Sequence, residues 1–468
     1  MSSSVDVVVL GAGPAGLAAA WRAARRGFSV RVLDRADHVG GMSSSFEVAG
    51  VRVDLGSHRL HPATPPRVMQ DLQTLLGEDL QTRQRSGRLR IGGTWVSFPL
   101  KAGELTRRLP AAMTAGIARD AMTGPMRRAR HDTYAEQLRA GIGPTVYNAL
   151  YGPYAQKLWG LPGDEISGQQ ARKRVTGNSV WKVAGRMLRG GGTSGSSGQG
   201  RVFHYPRRGF GQICDRLADG AVEAGAEIHL GAEVDQLNPS YDDVRVQSVD
   251  GGVTQAGIAL STLPMPLLAR ITSPGPSLAA MEAATRLRFR AMVLVYVVHK
   301  GGRWTPYDAH YLPAGDTPVT RISEPANYRE SADDPTDVSV ICAEIPCAVD
   351  DDIWTADDES LAMVVEEAVD RADLPPLARA EVVVRRLPFV YPVYEIGYER
   401  RLAGIEAWVT GIPQIVTFGR LGLFAHDNSH HAMLEAYEAV DCLGLDGRFD
   451  LARWRIQRAK FAEHVVED

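Results

Sequence analysis

The opening run Val5-Asp6-Val7-Val8-Val9-Leu10-Gly11-Ala12-Gly13-Pro14-Ala15-Gly16 leaves the chain few ways to fold. A β-branched apolar run bounded by glycine reads as a buried parallel strand. LAAAWRAARRG follows as an Ala-rich helix stopping at Gly27, and FSVRVLD returns as a second strand ending on Asp34. Each part has a physical task. Gly11 makes the tight turn, Gly13 lets the backbone approach a pyrophosphate, and Gly16 lets the helix pack closely on the strand. Pro14 and Ala15 open the helix, whose first amides face the phosphates. Asp34, flanked by Arg35 and 18 residues beyond Gly16, stands where a ribose hydroxyl needs an acceptor. The glycines alone are a weak signal; strand, turn, helix, strand and acid in this order are a strong one.

At 468 residues the chain exceeds one ordinary domain. A formal charge of −3 argues against a nucleic-acid partner. The apolar N-terminus resembles a signal sequence, but it lacks a basic leader and is broken by Gly11, Gly13, Pro14 and Gly16. No stretch reaches the ~20 apolar residues of a membrane span. Cys214, Cys342, Cys347 and Cys442 are scattered without CxxC spacing, so neither a disulfide framework nor a metal site is expected. That pattern fits a reducing, cytoplasmic setting.

NAD and FAD proteins share this fingerprint, and the next segment separates them. Gly40-Gly41-Met42 supplies a second glycine turn, and Phe46 to Leu55 alternates like a hairpin that runs into Gly56-Ser57-His58. This arrangement resembles the FAD enzymes of the amine oxidase, protoporphyrinogen oxidase and UDP-galactopyranose mutase group. The resemblance implies non-covalent FAD in an α/β, two-dinucleotide-binding (Rossmann-like) domain. That domain is expected to be discontinuous, built from residues 1–65, 200–265 and 395–468. A mainly helical cap over 66–199, interrupted by a short β-like piece at Leu89–Leu100, and a β-rich, antiparallel-sheet substrate region over 266–394 are expected between its parts. Residues 190–200, GGGTSGSSGQG, read as a low-complexity loop.

Further blocks narrow the resemblance to the UDP-galactopyranose mutase-like flavoproteins: DLGSHRLHP (54–62), YAQKLWGLPGDEISGQQARKRV (154–175), FHYPRRGFGQ (203–212), VYPVYEIGYER (390–400) and GRLGLFAHDNSHHAM (419–433), with PVTRISEPANY (318–328) a weaker match. The resemblance implies a pyranose/furanose mutase in which reduced flavin N5 is the nucleophile at the anomeric carbon of a nucleoside-diphosphate sugar. Arg174 and Arg321 match the two arginines that clamp the diphosphate, where a planar fork suits phosphate oxygens. Tyr391 matches a tyrosine on the same diphosphate, and Asn327 lies in the Arg321 block as a substrate contact. His58 matches the histidine beside N5, although Ser57 stands where the family has glycine. FAD contacts are expected from Gly56, Ser57, His58, the backbone of Val234, and Gly419, Arg420, Asp427, Asn428 and Ser429. The helix beginning near Asn428-Ser429 would aim its amides at the flavin's pyrimidine edge.

The loop after Gly419-Arg420 is shorter and less aromatic than in the mutases, and it is dense in histidine (His426, His430, His431). His58 and His61, spaced i, i+3, lack further metal ligands. Trp159 and Trp181 are read as base-stacking or core side chains, with core preferred for Trp159. NAD(P)H is the external reductant such a cycle can draw on. The alternative chemistry is oxidation, with hydride passing from substrate to oxidised flavin as in amine oxidase-like or protoporphyrinogen oxidase-like enzymes. A third reading keeps FAD as a structural or sensory ligand.

Overall fold

The computed structural model describes residues 3–100, 102–175 and 202–466. Trp181 and the 190–200 loop lie outside the described residues.

The fingerprint strand Ser3–Leu10 is the centre of a seven-stranded sheet. It pairs in parallel with Val30–Leu33 on one side and Val253–Ser261 on the other. Glu227–His229 extends the first edge in parallel, and Ile415–Thr417 pairs in parallel with the end of Val253–Ser261. Val244–Ser248 and Val234–Pro239 complete the sheet as antiparallel strands. All seven strands come from residues 3–33, 227–261 and 415–417. Both faces of the central strand are buried, as its continuous apolar run demands. Val7 and Val9 pack towards helix Pro14–Arg25, while Val8 and Leu10 pack towards Met265, Leu268, Tyr394 and Phe424. Pro14–Arg25 is flanked by Gln212–Glu223 and Ser429–Asp441, and its alanines permit that close three-helix contact.

A second seven-stranded sheet runs Arg379–Pro392, Phe289–Lys300, Val338–Cys347, Arg321–Ser323, Ala309–Tyr311, Gly87–Ile91, Thr94–Phe98. Side chains alternate across it with period two. Val293, Val295 and Val297 face helix Asp358–Arg371 through Leu361, Val365 and Ala368. Leu294, Tyr296 and Val298 face the hairpin Ser45–Val48/Val51–Asp54 through Val48, Val51 and Val53. That hairpin therefore joins the two sheets and carries Gly56-Ser57-His58 to their junction. Gly87–Ile91 and Thr94–Phe98 come from the stretch expected to be a mainly helical cap. They fall on the β-like piece read at Leu89–Leu100 and extend the second sheet, because Gly87 to Leu89 pairs in parallel with Ala309 to Tyr311.

Helices Tyr134–Ile142, Gly152–Trp159 and Gly168–Val175 enclose their own core of Tyr134, Leu138, Leu158 and Trp159. The last of them brings Arg174 to the junction. Among the described residues no helix is long and apolar enough to cross a membrane. The four cysteines are free thiols and buried.

Candidate active site

The first half of the site is a cradle of backbone. Gly11 adopts φ +105°, and its N–H donates to Leu33 O at 2.9 Å, closing the turn. Helix Pro14–Arg25 has Gly13 as N-cap, no side-chain cap and no acid in its first turn, so its leading amides are open to an anion. The second glycine turn lies against the first. Gly40 N–H donates to Ala12 O at 2.8 Å, and a Cβ on Gly41 would stand 3.4 Å from Gly13 Cα. A Cβ on Gly13 would meet nothing nearer than Gly40 O at 4.0 Å. The space a side chain would fill there is the space a pyrophosphate needs, so these residues fit FAD.

Asp34 braces the cradle: Oδ2 accepts from Ala12 N–H at 2.6 Å and Oδ1 from Ala36 N–H at 2.8 Å. Ribose hydroxyls would therefore meet a carboxylate already held in place. Arg35 is exposed, Met42 packs beside the hairpin, and Val234 begins an edge strand opposite Ser248.

The second half comes from the C-terminal segment. Gly419 lies over the start of helix Pro14–Arg25, where its Cβ would stand 3.2 Å from Ala15 Cβ. Its N–H donates to Glu435 Oε2 at 2.7 Å. Arg420 donates from Nε and Nη2 to Asp427 O at 2.9 and 2.6 Å. Asn428 caps Ser429–Asp441 through a capping box with His431.

The Asp427 side chain departs from the expected cofactor contact. Its carboxylate turns inward, 3.2 Å from His464 Nδ1 and 3.8 Å from His431 Nδ1, while its carbonyl serves Arg420. Burial pushes Asp427 up, but His464 and His431 outweigh it and hold the acid below the usual range. Burial, reinforced by Asp427, holds the Glu435 carboxyl well above that range. Burial also lowers His431 to about 4 and His430 to about 2. Asp427, His431 and His464 could each offer a ligand atom within 4.8 Å of the others. Those atoms already serve one another, since Asn428 N–H donates into His431 Nδ1 at 3.3 Å and His464 pairs with Asp427.

The third part is a ring of cations and aromatics around His58. His58 Nε2 bonds Leu55 O at 2.9 Å, and the ring stacks on Phe210 at 5.2 Å. Burial holds His58 below the usual imidazole range although Asp54 and Glu344 act to raise it; Arg420 adds to the lowering. Tyr391 has the Arg174 guanidinium 5.2 Å and that of Arg420 5.6 Å from its ring centre, and His426 stacked at 6.1 Å. Arg174 reaches His426 Nδ1 at 3.5 Å, forms no salt bridge among the described residues, and has a buried Nε without a partner. Burial, then Arg174 and Arg420, pushes His426 well below the usual range, so it stands there as a neutral ring.

Arg321 differs from expectation. Glu344 holds it through Nε at 3.0 Å and Nη2 at 2.7 and 2.8 Å. Asn327 differs too, because its Nδ2 donates to Thr305 O and Tyr307 O at 2.8 Å and to Glu324 Oε2 at 3.0 Å. Three acceptors for two protons make its Nδ2 a brace between the Pro325–Tyr328 turn and the loop carrying Thr305 and Tyr307. Tyr394 and Tyr398 stack on each other at 4.1 Å in the core, and Trp159 is buried edge-on against Tyr134.

Sequence reading missed Arg59, Glu344, Tyr311 and Tyr328. Arg59 reaches Asp308 and Tyr311 at 3.1 Å and lies 4.7 Å from the Tyr328 ring centre, while the Tyr328 hydroxyl bonds Ser57 Oγ. The position of Arg59 directly after His58 was a usable signal; Glu344 and Tyr311 are brought to the site by strand pairing, and Tyr328 by the turn Pro325–Tyr328.

A family model described as flavin containing amine oxidoreductase matches residues 14–401. A Mycobacterium tuberculosis protein named as a flavin-containing monoamine oxidase, AofH, is 31% identical over 277 residues. That alignment covers 56% of this chain and 57% of AofH, a little over half of each. A crystal structure of reduced UDP-galactopyranose mutase superposes with TM-score 0.81 at 19% identity, covering 99% of this chain and 100% of the mutase. Putrescine oxidase bound to putrescine superposes with TM-score 0.67 at 16% identity, covering 94% and 99%. At such identities the two structures speak for the fold.

Proposed function

The chain belongs to the flavin-containing amine oxidoreductase family and is an FAD-dependent flavoprotein; from there we propose that it is a UDP-galactopyranose mutase-like enzyme acting on a nucleoside-diphosphate sugar. FAD, bound and reduced, supplies the nucleophilic N5 for exchange between pyranose and furanose forms.

One observation carries the substrate reading. Arg174 is a half-buried cation without a carboxylate partner among the described residues, set against Tyr391 and a neutral histidine. A buried charge without a partner is costly, so such a site favours an anionic ligand. Arg174 binds the diphosphate, with the Tyr391 hydroxyl beside it. His58, kept neutral by burial and oriented by Leu55 O, positions the reacting face of the flavin. Gly11, Gly13 and the start of helix Pro14–Arg25 hold the FAD pyrophosphate, and the Gly419–Ser429 segment closes over it. NAD(P)H serves as reductant.

The test uses dithionite-reduced holoprotein incubated with a panel of nucleoside-diphosphate hexoses, with furanose products resolved by chromatography. Turnover of at least one supports the proposal. No isomerisation and no nucleoside-diphosphate binding would sink it. The second reading, oxidation of an organic substrate, draws support from the pairing of Arg321 with Glu344, which leaves one unpaired arginine where a diphosphate clamp uses two. It requires that a substrate amine or alkene bleach the oxidised flavin anaerobically without added reductant.

A further inference from the structure

Arg321 and Glu344 are register partners on the antiparallel strands Arg321–Ser323 and Val338–Cys347. Directly opposed side chains share one face of a sheet at close range, so this pairing is built into the strand register. The carboxylate does more than neutralise the arginine. Glu344 Oε1 also accepts Ser57 N–H at 2.8 Å, and Arg321 Nη2 donates to Ser57 O at 3.3 Å. Ser57, Glu344 and Arg321 thus close a ring of hydrogen bonds that holds the Gly56-Ser57-His58 loop by both its N–H and its carbonyl.

Exposure is uneven within the pair. The Glu344 side chain is 6% exposed and that of Arg321 19%. Arg321 Nη1 makes no protein hydrogen bond among the described residues, so the guanidinium is the partner a ligand could reach. Arg174 stands in contrast, with no carboxylate on it among the described residues. Of these two arginines, one is open to an anion and the other is already matched.

We propose that Glu344 is a positioning residue that sets the anion specificity of the site: it reserves Arg321 for a ligand whose second phosphate can draw the guanidinium away, and it couples that transfer to release of the Ser57 loop. This rests on the reading that an anionic nucleotide binds at Arg174. A nucleoside monophosphate is held by Arg174 alone. A diphosphate additionally recruits Arg321, Glu344 keeps the Ser57 N–H, and the Ser57 carbonyl loses its donor. The loop bearing His58 is then anchored on one side only.

The experiment titrates UDP and UMP into FAD-loaded wild-type protein and Glu344→Gln, following heat and the flavin absorption bands. Glutamine keeps the shape and the acceptor for Ser57 N–H but removes the charge that competes for Arg321. Glu344→Gln is expected to bind UDP roughly tenfold more tightly, with UMP affinity changed by less than about threefold, and adding Arg321→Gln is expected to erase the gain. Equal UDP affinity in the two proteins, or an equal gain for UMP, overturns the proposal. Should Glu344→Gln lose FAD, the wild-type protein decides: UDP must perturb the flavin bands where saturating UMP does not, and identical spectra overturn the proposal. UDP binding by neither protein defeats this inference and the nucleotide reading together. A UDP gain without turnover of any nucleoside-diphosphate hexose leaves Glu344 in its role and removes the mutase reading alone.

Discussion

A Cβ on Gly11 would stand 2.2 Å from Thr262 Oγ1, whose own bond to Leu10 O at 2.8 Å fixes it in place. With φ at +105°, Gly11 is held by both sterics and backbone conformation. Gly13 has no such neighbour within 4.0 Å on the protein side. Gly11→Ala is therefore expected to cost roughly 2–4 kcal/mol in stability and to yield flavin-free protein. Gly13→Ala should fold with a melting temperature close to wild type yet retain little FAD, since its methyl fills the phosphate space. Flavin-to-protein absorbance ratios and apo-protein melting curves separate the two. Full FAD retention by Gly13→Ala would remove Gly13 from the cradle.

Arg174 offers a test at the substrate end. Removing its fork while leaving Tyr391 and Arg420 in place should disturb FAD little, because the one hydrogen bond Arg174 makes to the Gly419–Ser429 segment among the described residues is a long side-chain contact to His426 at 3.5 Å. Arg174→Met is expected to weaken UDP binding by about 10- to 100-fold, the worth of a charge-assisted hydrogen bond or two. Arg174→Lys should recover little of it, since an ammonium lacks the planar fork. Calorimetric titration at constant salt measures both. Unchanged UDP affinity would exclude Arg174 as the anion contact.

Acid should unfold this protein through its histidine loop. Burial holds His426 well below its ordinary value, His430 at about 2 and His431 at about 4, against a reference of 6.5. Folded-state values below the unfolded one mean that, as pH drops under 6.5, the unfolded chain takes up protons that the folded chain refuses. Their stabilisation is complete above pH 6.5 and is lost on acidification towards those folded values. Each contributes a slope of about 1.4 kcal/mol per pH unit in that window. Glu435, held protonated in the fold, opposes this between pH 4.5 and 6.5, but three histidines outnumber it. Urea midpoints at fixed FAD should fall between pH 6.5 and 4.5, and His430→Asn should flatten the slope by about one proton's share. A flat profile would show these histidines to be protonated in the folded state.

The FAD half of the site was legible because its parts are local. Turn, helix and acid from Gly11 to Asp34 lie within one βαβ unit, where spacing alone dictates geometry, and the hairpin to His58 follows at once. Arg174 and Tyr391 were singled out through their sequence blocks, and the fold sets one against the other. What escaped was whatever depends on pairing between distant strands. Nothing in PVTRISEPANY announces that Arg321 will lie opposite Glu344, because the partner is set by sheet register. Likewise Arg59 meets Asp308 across 249 residues, and His464 meets Asp427 from the far end of the chain. Asn327 repeats the lesson: its block did not announce that its amide would serve the carbonyls of Thr305 and Tyr307, some twenty residues earlier.

Glu435 has no exposed surface; its Oε2 accepts Gly419 N–H at 2.7 Å, and the buried Asp427 carboxylate is close enough to act on it. Two buried carboxylates this close do not both ionise, and the bond with His464 keeps the charge on Asp427. Glu435 must then carry the proton and donate it. A glutamine has the same shape, one acceptor and one donor group, so Glu435→Gln is expected to change stability by less than about 1 kcal/mol and to keep FAD. Glu435→Ala leaves Gly419 N–H unsatisfied in the interior and opens a cavity beside Asp427, at a cost of roughly 2–4 kcal/mol. Because the Gly419 turn lies on Ala15 at the start of the phosphate-facing helix, the alanine variant should lose flavin as well. Denaturant midpoints and FAD occupancy of the two variants decide the matter. If glutamine proves as damaging as alanine, Glu435 is ionised in the fold and the proton lies elsewhere in the cluster.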